Sequence, residues 1–438
     1  MMVMRVKVFR HLKAAASLTG VVMLAFIIAW VAASVSFTTE EELYRNSLAV
    51  SNQQKKQWNK ESGDHKPRKG KVGEGPPGPE ENPVKQVQHA SFLKILKLAA
   101  EDFNLTCSHS VPMQRPKNFT KYTKNPCYWD KAAGKLRCLP YFYIPGFPKC
   151  GTTDFYNFLK IHPEYLRTGK EFHWHNHLQF TQDYSDLEVY LHRLQPAGNK
   201  IEQDLKEKGF SRKITGDFTP DYLCDNMRWR CLEGNAGLEA PRYTNAHSIY
   251  SLTPNAKFII FMREPVDRLY SRFKHMIYVS PDIFGKYWGD PSPETFHQAA
   301  MRAIRVYTAC FQNFPVRQCL YNESLFEQTM INDIGIYSAC LQDFVNLFPR
   351  ENFLFLKFEE YTESREKIYN RVLKFLDLGP LPKHLQGKLN STEVHNAGHV
   401  PNSPMLNKTR VALRRFFSPF VQELKKIVGS NLIKSWGY

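Results

Sequence analysis

A lysine, a glycine and two threonines stand between an apolar run and a helical pattern, in the arrangement that holds an anion. Tyr141-Phe142-Tyr143-Ile144 reads as a buried strand, and Pro145-Gly146-Phe147-Pro148-Lys149-Cys150-Gly151-Thr152-Thr153-Asp154 follows it. Phe155-Tyr156-x-Phe158-Leu159 continues as a helix. A loop that enters a helix N-terminus aims unsatisfied backbone N–H groups at one point, where phosphate binds. Gly151 lets the backbone close on an anion. Lys149 adds charge, and Thr152 and Thr153 add hydroxyl donors. Lys149, Cys150, Gly151, Thr152, Thr153 and Asp154 are therefore the candidate phosphate loop. Gly146 and Gly151 have the spacing of a G-x-x-x-x-G-K-[ST] nucleotide loop, but Thr152 stands where its lysine belongs. That displacement argues against an ordinary ATPase or GTPase. A Gly/Pro turn with a surface lysine is the bland reading, and the strand–loop–helix context outweighs it.

A second anion site follows from Arg263-Glu264-Pro265-Val266-Asp267-Arg268-Leu269-Tyr270-Ser271, which closes the apolar run Lys257–Met262. Arg263 falls at a strand end, where α/β folds bind ligands. Pro265 suits a helix start, and Ser271 lies two turns into that helix. Arginine offers a fork for phosphate oxygens. Arg268 is balanced between ligand contact and a structural ion pair. Asp217, at the end of the short run Lys213–Gly216, is a further site candidate. His175 and His177 read as surface histidines, since no cysteine or acidic partner completes a metal site.

Runs and patterns around these residues define the elements that must position them. The apolar runs Tyr141–Pro145, Lys213–Gly216, Lys257–Met262 and Phe353–Phe358 read as strands. Helical patterns cover Thr152–Ile161, Val266–Tyr278, Ile334–Phe348 and Glu363–Leu376, and a short one runs from Phe92 to Leu98. Strands that alternate with helices predict an α/β fold on a parallel sheet. There is no internal repeat.

Composition allows a large core: 42% of the 438 residues are hydrophobic and 13% aromatic, which excludes a disordered chain. The net charge is +17. The first 90 residues hold 13 Lys/Arg against 8 Asp/Glu, and the remainder carries +12. A basic folded part implies an acidic partner: nucleic acid, an anionic membrane or a polyanionic sugar. Residues 1–13 are a basic tail. Residues 14–37 are uncharged and mostly apolar, and Glu40, Glu41 and Glu42 follow. This predicts a membrane-spanning signal-anchor with its N-terminus in the cytoplasm, favoured over a cleaved signal by its length. Residues 38–90, with Gly75-Pro76-Pro77-Gly78-Pro79, read as an extended stem, and 91–438 as a lumenal domain. Asn-x-Ser/Thr acceptor sites begin at Asn104, Asn118, Asn322, Asn390 and Asn407. Nine cysteines without a C-x-x-C pair favour disulfides over zinc. The close pairs Cys310 with Cys319 and Cys127 with Cys138 lead, then Cys224 with Cys231, and Cys150 is left out.

The two anion motifs resemble the 5′-phosphosulfate loop and the R-x-P-x-x-R-x-x-S 3′-phosphate motif of sulfotransferases, and the chain as a whole resembles a Golgi carbohydrate sulfotransferase. Lesser segments support the resemblance over residues 127–428: Arg137–Ile144, Pro254-Asn255-Ala256-Lys257, Cys310 and Cys319-x-Tyr321-Asn322, Phe375-Leu376-x-Leu378-Gly379-Pro380-Leu381, and Phe416-Phe417-x-Pro419-Phe420. Lys170-Glu171-Phe172-His173 matches the family's K-E-x-H, with Phe172 in place of the branch's proline. Gly216-Asp217-Phe218-Thr219-Pro220-Asp221-Tyr222 resembles an acceptor-side segment, with Phe218 in place of a lysine.

The resemblance implies a P-loop-kinase-like sheet flanked by helices and a Golgi-lumenal enzyme that uses PAPS. It assigns Lys149 to the transferring group, Glu171 to the acceptor proton and His173 to orienting the base. PAPS would bind through the phosphate loop, Arg263 and Ser271, with no metal, and Asp217 and Thr219 would face the acceptor. That acceptor would be a sulfated glycosaminoglycan, at the 6-O position of GalNAc 4-sulfate in chondroitin or dermatan sulfate, rather than nucleic acid. A heparan-type acceptor, a lumenal kinase and a catalytically silent glycan-binding protein are the competing readings, and a homo-oligomer stays open. The polar segment Val394–Leu406 is expected to close over the nucleotide, as a late loop does in relatives.

Overall fold

The computed structural model describes residues 111–114, 117–181, 184–329, 331, 334–391 and 403–438, with the side chains of 389–391 excepted. The expected tail, anchor and stem, the helix from Phe92, Asn104, the side chain of Asn390 and most of Val394–Leu406 lie outside them. Among the described residues, no helix is long and apolar enough to cross a membrane.

The first strands of the described residues form a hairpin, β1 (Cys127–Asp130) and β2 (Lys135–Cys138), in which Cys127 faces Cys138 and bonds to it. β3 (Phe142–Tyr143) leads into α1 (Thr152–Leu159). α2 (Leu187–Lys208) starts where the Asp186 carboxylate accepts the Glu188 N–H, and ends at Gly209. β4 (Gly216–Asp217), α3 (Asn245–Leu252), β5 (Lys257–Met262) and α4 (Pro265–Val279) follow. α5 (Pro293–Phe311), α6 (Tyr337–Val345), β6 (Phe353–Lys357), α7 (Arg365–Phe375) and α8 (Asn407–Val428) complete the main elements.

β3 to β6 form one sheet in the order β4-β3-β5-β6, every pairing parallel. The predicted α/β class holds, and β5 has the predicted bounds. Its sequence KFIIFM is apolar without alternation because helices cover both faces, and all but Lys257 are buried. β4 is displaced: Ile214 bridges to Tyr165, pairing with β3 falls on Gly216–Asp217, and a side chain at 216 would meet the Phe142 ring at 2.4 Å.

Two expected disulfides are present, Cys127–Cys138 and Cys310–Cys319. The third is corrected. Cys224 bonds to Cys340, 116 residues away, rather than to Cys231. Nearness in sequence misled there, since α6 returns beside the segment after β4. Closing so long a loop restricts the unfolded chain most. Replacing both Cys224 and Cys340 by Ser is expected to cost about 4–5 kcal/mol. Chemical denaturation under oxidising conditions measures it, and an unchanged midpoint would refute it. Cys150 keeps a buried thiol. Asn118, Asn322 and Asn407 are exposed.

Candidate active site

Strand order puts the ends of β4, β3 and β5 side by side, and the segments that leave them meet at one edge. The loop after β3 is strapped to β5: Phe147 N–H donates to Phe261 O at 2.8 Å and Phe261 N–H to Gly146 O at 3.1 Å. Lys149 and Gly151 take left-handed backbone, φ 67° and 82°. A side chain at 151 would also meet the Phe358 ring at 3.0 Å, so the loop tolerates only glycine there. No side chain caps α1, which leaves its first-turn N–H groups for an anion. Thr152 is buried and Thr153 half-buried. Asp154 belongs to the loop's support. Its carboxylate accepts from Tyr361 Oη at 2.5 Å and Arg365 Nη2 at 2.8 Å, so it is spent inside the protein and not on a ligand. Cys150 is fully buried, its thiol 3.8 Å from Pro148 O.

The loop lysine sits in a crowd of cations. Burial pulls the Lys149 ammonium down to about 8, helped by the charges of Arg272, Lys170 and Arg263. Arg263 lies over the Phe358 ring, 5.0 Å from its centre, and 3.5 Å from Lys149 O. Ser271 is half-buried on α4. Arg268 is fully buried, against Gly335 and 5.9 Å from the Tyr337 ring centre.

Glu171 is the carboxylate facing this positive cluster, its side chain 31% exposed and paired with Lys170. Burial pushes it up, but the charge and hydrogen bond of Lys170, with Arg272 and His173, outweigh that and hold it below the ordinary carboxylate range. Glu171 and His173 are both in left-handed backbone, φ 58° and 52°, a strain of about 1–3 kcal/mol each. The segment after β4 pins that strain. Glu171 N–H donates to Phe218 O at 2.9 Å, Phe172 N–H to Thr219 Oγ1 at 2.9 Å, and Trp174 N–H to Tyr222 Oη at 3.0 Å.

Asp217 and Thr219 therefore stand elsewhere than expected. Both are fully buried. Asp217 accepts from Thr219 at 2.6 Å, Tyr190 at 2.8 Å and Tyr222 at 3.1 Å, and burial still raises its carboxyl to about 6. They build the platform beneath Glu171 and offer nothing to an acceptor. Phe218 replaces a lysine because it packs in the core, edge-on to Phe142 and Tyr156.

The histidines also differ from expectation. His173 is fully buried and held neutral, at about 3. His175 and His177 are not surface groups. His175 is fully buried with Nδ1 2.9 Å from Ser248 Oγ, and His177 Nε2 lies 2.9 Å from Asp225 Oδ2. The turn through 173–180 folds under the segment after β4, which a run of polar imidazoles does not announce. Among the described residues, no three His, Cys, Asp or Glu side chains form a metal-holding group.

Two site residues were missed, Arg272 and His275, and Lys170, quoted in its motif, was given no role. Arg272 Nη2 binds Asp221 Oδ1 at 3.0 Å. His275 is brought to about 3 by burial and by the charges of Lys149 and Arg272. The signal was in the helix: positions 268, 272 and 275 share one face.

The family described as "Sulfotransferase domain" matches residues 140–412. The chain is 29% identical over 316 residues to "Carbohydrate sulfotransferase 15" of Homo sapiens, across 68% of this chain and 54% of that protein. It is 29% identical over 313 residues to the protein of the same name from Mus musculus, across 67% and 54%. The chain thus spans about half the length of these relatives. A solved sulfotransferase from Alicyclobacillus acidocaldarius aligns with 69% of this chain and 100% of its own, at 20% identity and a TM-score of 0.41.

Proposed function

The chain belongs to the sulfotransferase domain family, and from that premise we propose that it transfers a sulfuryl group from PAPS to a hydroxyl of a sulfated glycosaminoglycan, at the 6-O position of GalNAc 4-sulfate in chondroitin or dermatan sulfate. One observation carries the reading. Lys149 stands among Arg272, Lys170 and Arg263, whose charges depress it, and Lys170 and Arg272 also hold the Glu171 carboxylate ionised. Such a concentration of positive charge in a half-buried site suits a multiply charged anion. The loop fits the group as well, since no side chain caps α1 and its first-turn N–H groups stay available to an anion.

Lys149 and the first-turn amides of α1 would hold the phosphosulfate, and Arg263 with Ser271 the 3′-phosphate. Glu171 does the acid–base work. It takes the hydroxyl proton as the acceptor oxygen bonds to sulfur and the bond from sulfur to the leaving phosphate oxygen breaks. Lys170 keeps Glu171 ionised for this. Lys149 faces the charge that grows on the leaving phosphate. His173, held neutral by burial, would orient the base. The +12 of the chain beyond residue 90 suits a polyanionic acceptor.

We place the enzyme in the Golgi membrane: tail 1–13, anchor 14–37, stem 38–90 and lumenal domain 91–438. The acceptor asparagines Asn118, Asn322 and Asn407, exposed to solvent, would carry glycans.

The test uses the full chain in detergent, radiolabelled PAPS, EDTA and a panel of glycosaminoglycans, followed by disaccharide analysis. Label in a 4,6-disulfated galactosamine unit supports the reading. Label only in heparan transfers it to another acceptor. PAP binding without transfer to any glycan favours a silent glycan-binding protein.

The charge of Lys149 gives a pH dependence with a definite sign. The lysine works when protonated, so kcat/KM for PAPS falls as pH rises through about 8. Bound anion stabilises the ammonium, so the matching limb in kcat lies at higher pH. Initial rates between pH 6 and 10 separate the two, and a flat profile across that range would count against Lys149.

A further inference from the structure

We propose that Arg272, oriented by Asp221, is a further catalytic cation, facing the transferring sulfuryl group between Lys149 and Glu171. The proposal rests on the sulfuryl-transfer reading above.

The first observation is the geometry of the guanidinium. Arg272 is 6% exposed, and Asp221 is 8% exposed. They meet through one nitrogen, Nη2 to Oδ1 at 3.0 Å, while Arg272 Nε is buried without a partner. A buried pair kept for stability repays its desolvation only with full hydrogen bonding. A guanidinium held by one corner keeps the rest of its fork for an anion.

The second observation is where Asp221 stands. Asp217, Asp221 and Asp225 recur every four residues, and each is spent on a different part of the site. Asp217 gathers Thr219 and Tyr222, which hold the base loop. Asp221 holds Arg272 on α4. Asp225 accepts from Asn176 at 3.1 Å and pairs with His177. The same segment is tied to the phosphate loop by Leu223 N–H to Pro145 O at 2.9 Å, and to α6 by Cys224–Cys340. One short stretch thus fixes Arg272, the base and the loop relative to one another.

The third observation is reach. The Arg272 charge helps lower Lys149 and His275 and helps hold Glu171 ionised. It lies among all the groups the transfer uses. As the bond from sulfur to the leaving oxygen lengthens, negative charge is shared with the sulfuryl oxygens, and a preorganised guanidinium there lowers the barrier.

The experiment uses the full chain with Arg272→Gln, Arg272→Lys, Asp221→Asn and the double variant R272Q/D221N. The readouts are kcat, the KM for PAPS and for acceptor, calorimetric affinity for PAP, and the pH profile. PAP lacks the sulfuryl group. R272Q is therefore expected to lose about 10²-fold in kcat while its PAP affinity stays within about threefold. D221N loses less, and the double variant is no worse than R272Q alone, because Asp221 acts through Arg272. Both limbs of the pH profile move upward in R272Q, since a positive charge beside Glu171 and Lys149 is gone. R272K keeps the charge and holds both limbs in place. R272Q with kcat within about threefold of wild type and unmoved limbs, where Glu171→Gln is inactive, overturns the proposal and leaves the sulfuryl-transfer reading standing. Additive losses with a lowered melting temperature reduce the pair to a structural one. A wild-type chain that binds PAP yet transfers nothing overturns the underlying reading instead.

Discussion

Glu171→Gln is expected to lower kcat by about 10³-fold while leaving the KM for the acceptor and the affinity for PAP within a few-fold of wild type. Glutamine keeps the length and the hydrogen-bonding oxygen but cannot take a proton. The loss therefore falls on the step in which the hydroxyl is deprotonated. The backbone at 171 is not disturbed, because its left-handed geometry is held through main-chain N–H groups by Phe218, Thr219 and Tyr222. Lys170 loses its ion partner, which adds one uncompensated charge near the donor and favours PAP slightly. The acid limb of the pH profile belongs to Glu171 and disappears with it. Steady-state kinetics with calorimetry decides the matter: kcat within tenfold of wild type would falsify the assignment of the base.

Lys149→Ala strikes the other partner in the reaction. Its loss is expected at about 10²–10³-fold in kcat/KM for PAPS, the scale of removing one preorganised donor from a developing anion. The crowding that depresses Lys149 works in reverse here: its removal takes away its own repulsion with Arg272, Lys170 and Arg263. Thermal stability is therefore expected to hold or rise slightly, and reduced activity cannot be put down to unfolding. The alkaline limb near 8 should vanish in Lys149→Arg, whose guanidinium stays charged throughout the range. An alkaline limb that persists at the same pH in that variant belongs to a different group.

Sequence pattern revealed what depends on local order. The phosphate loop was legible because strand, glycine and helix start follow one another, and β5 because an apolar run covered on both faces has no alternation. The disulfides that close short loops were legible for the same reason. What escaped depends on distant segments. Cys224 finds Cys340 only because α6 packs beside it. Asp217 reads as a ligand-facing carboxylate until Tyr190, in a helix not foreseen, delivers its hydroxyl. Asp154 likewise looks available until Tyr361 and Arg365 arrive. Arg272 was overlooked although its helix was foreseen and it shares a face with 268 and 275, because the helical pattern alone does not tell that this face turns toward the phosphate loop.

The support of Asp154 by Tyr361 and Arg365 has a consequence in time. Arg365 follows Asp154 by 211 residues, about 10–40 s of synthesis at 5–20 residues per second. Until β6 and the segment after it emerge, the phosphate loop has no Phe358 ring against Gly151 and no partner for the first turn of its helix. The strand beside it meanwhile presents a bare parallel edge. Parallel pairings with such sequence separation form late and slowly. The nascent chain therefore passes through a long interval in which apolar strands are made but unsheltered, the condition in which partly folded chains aggregate.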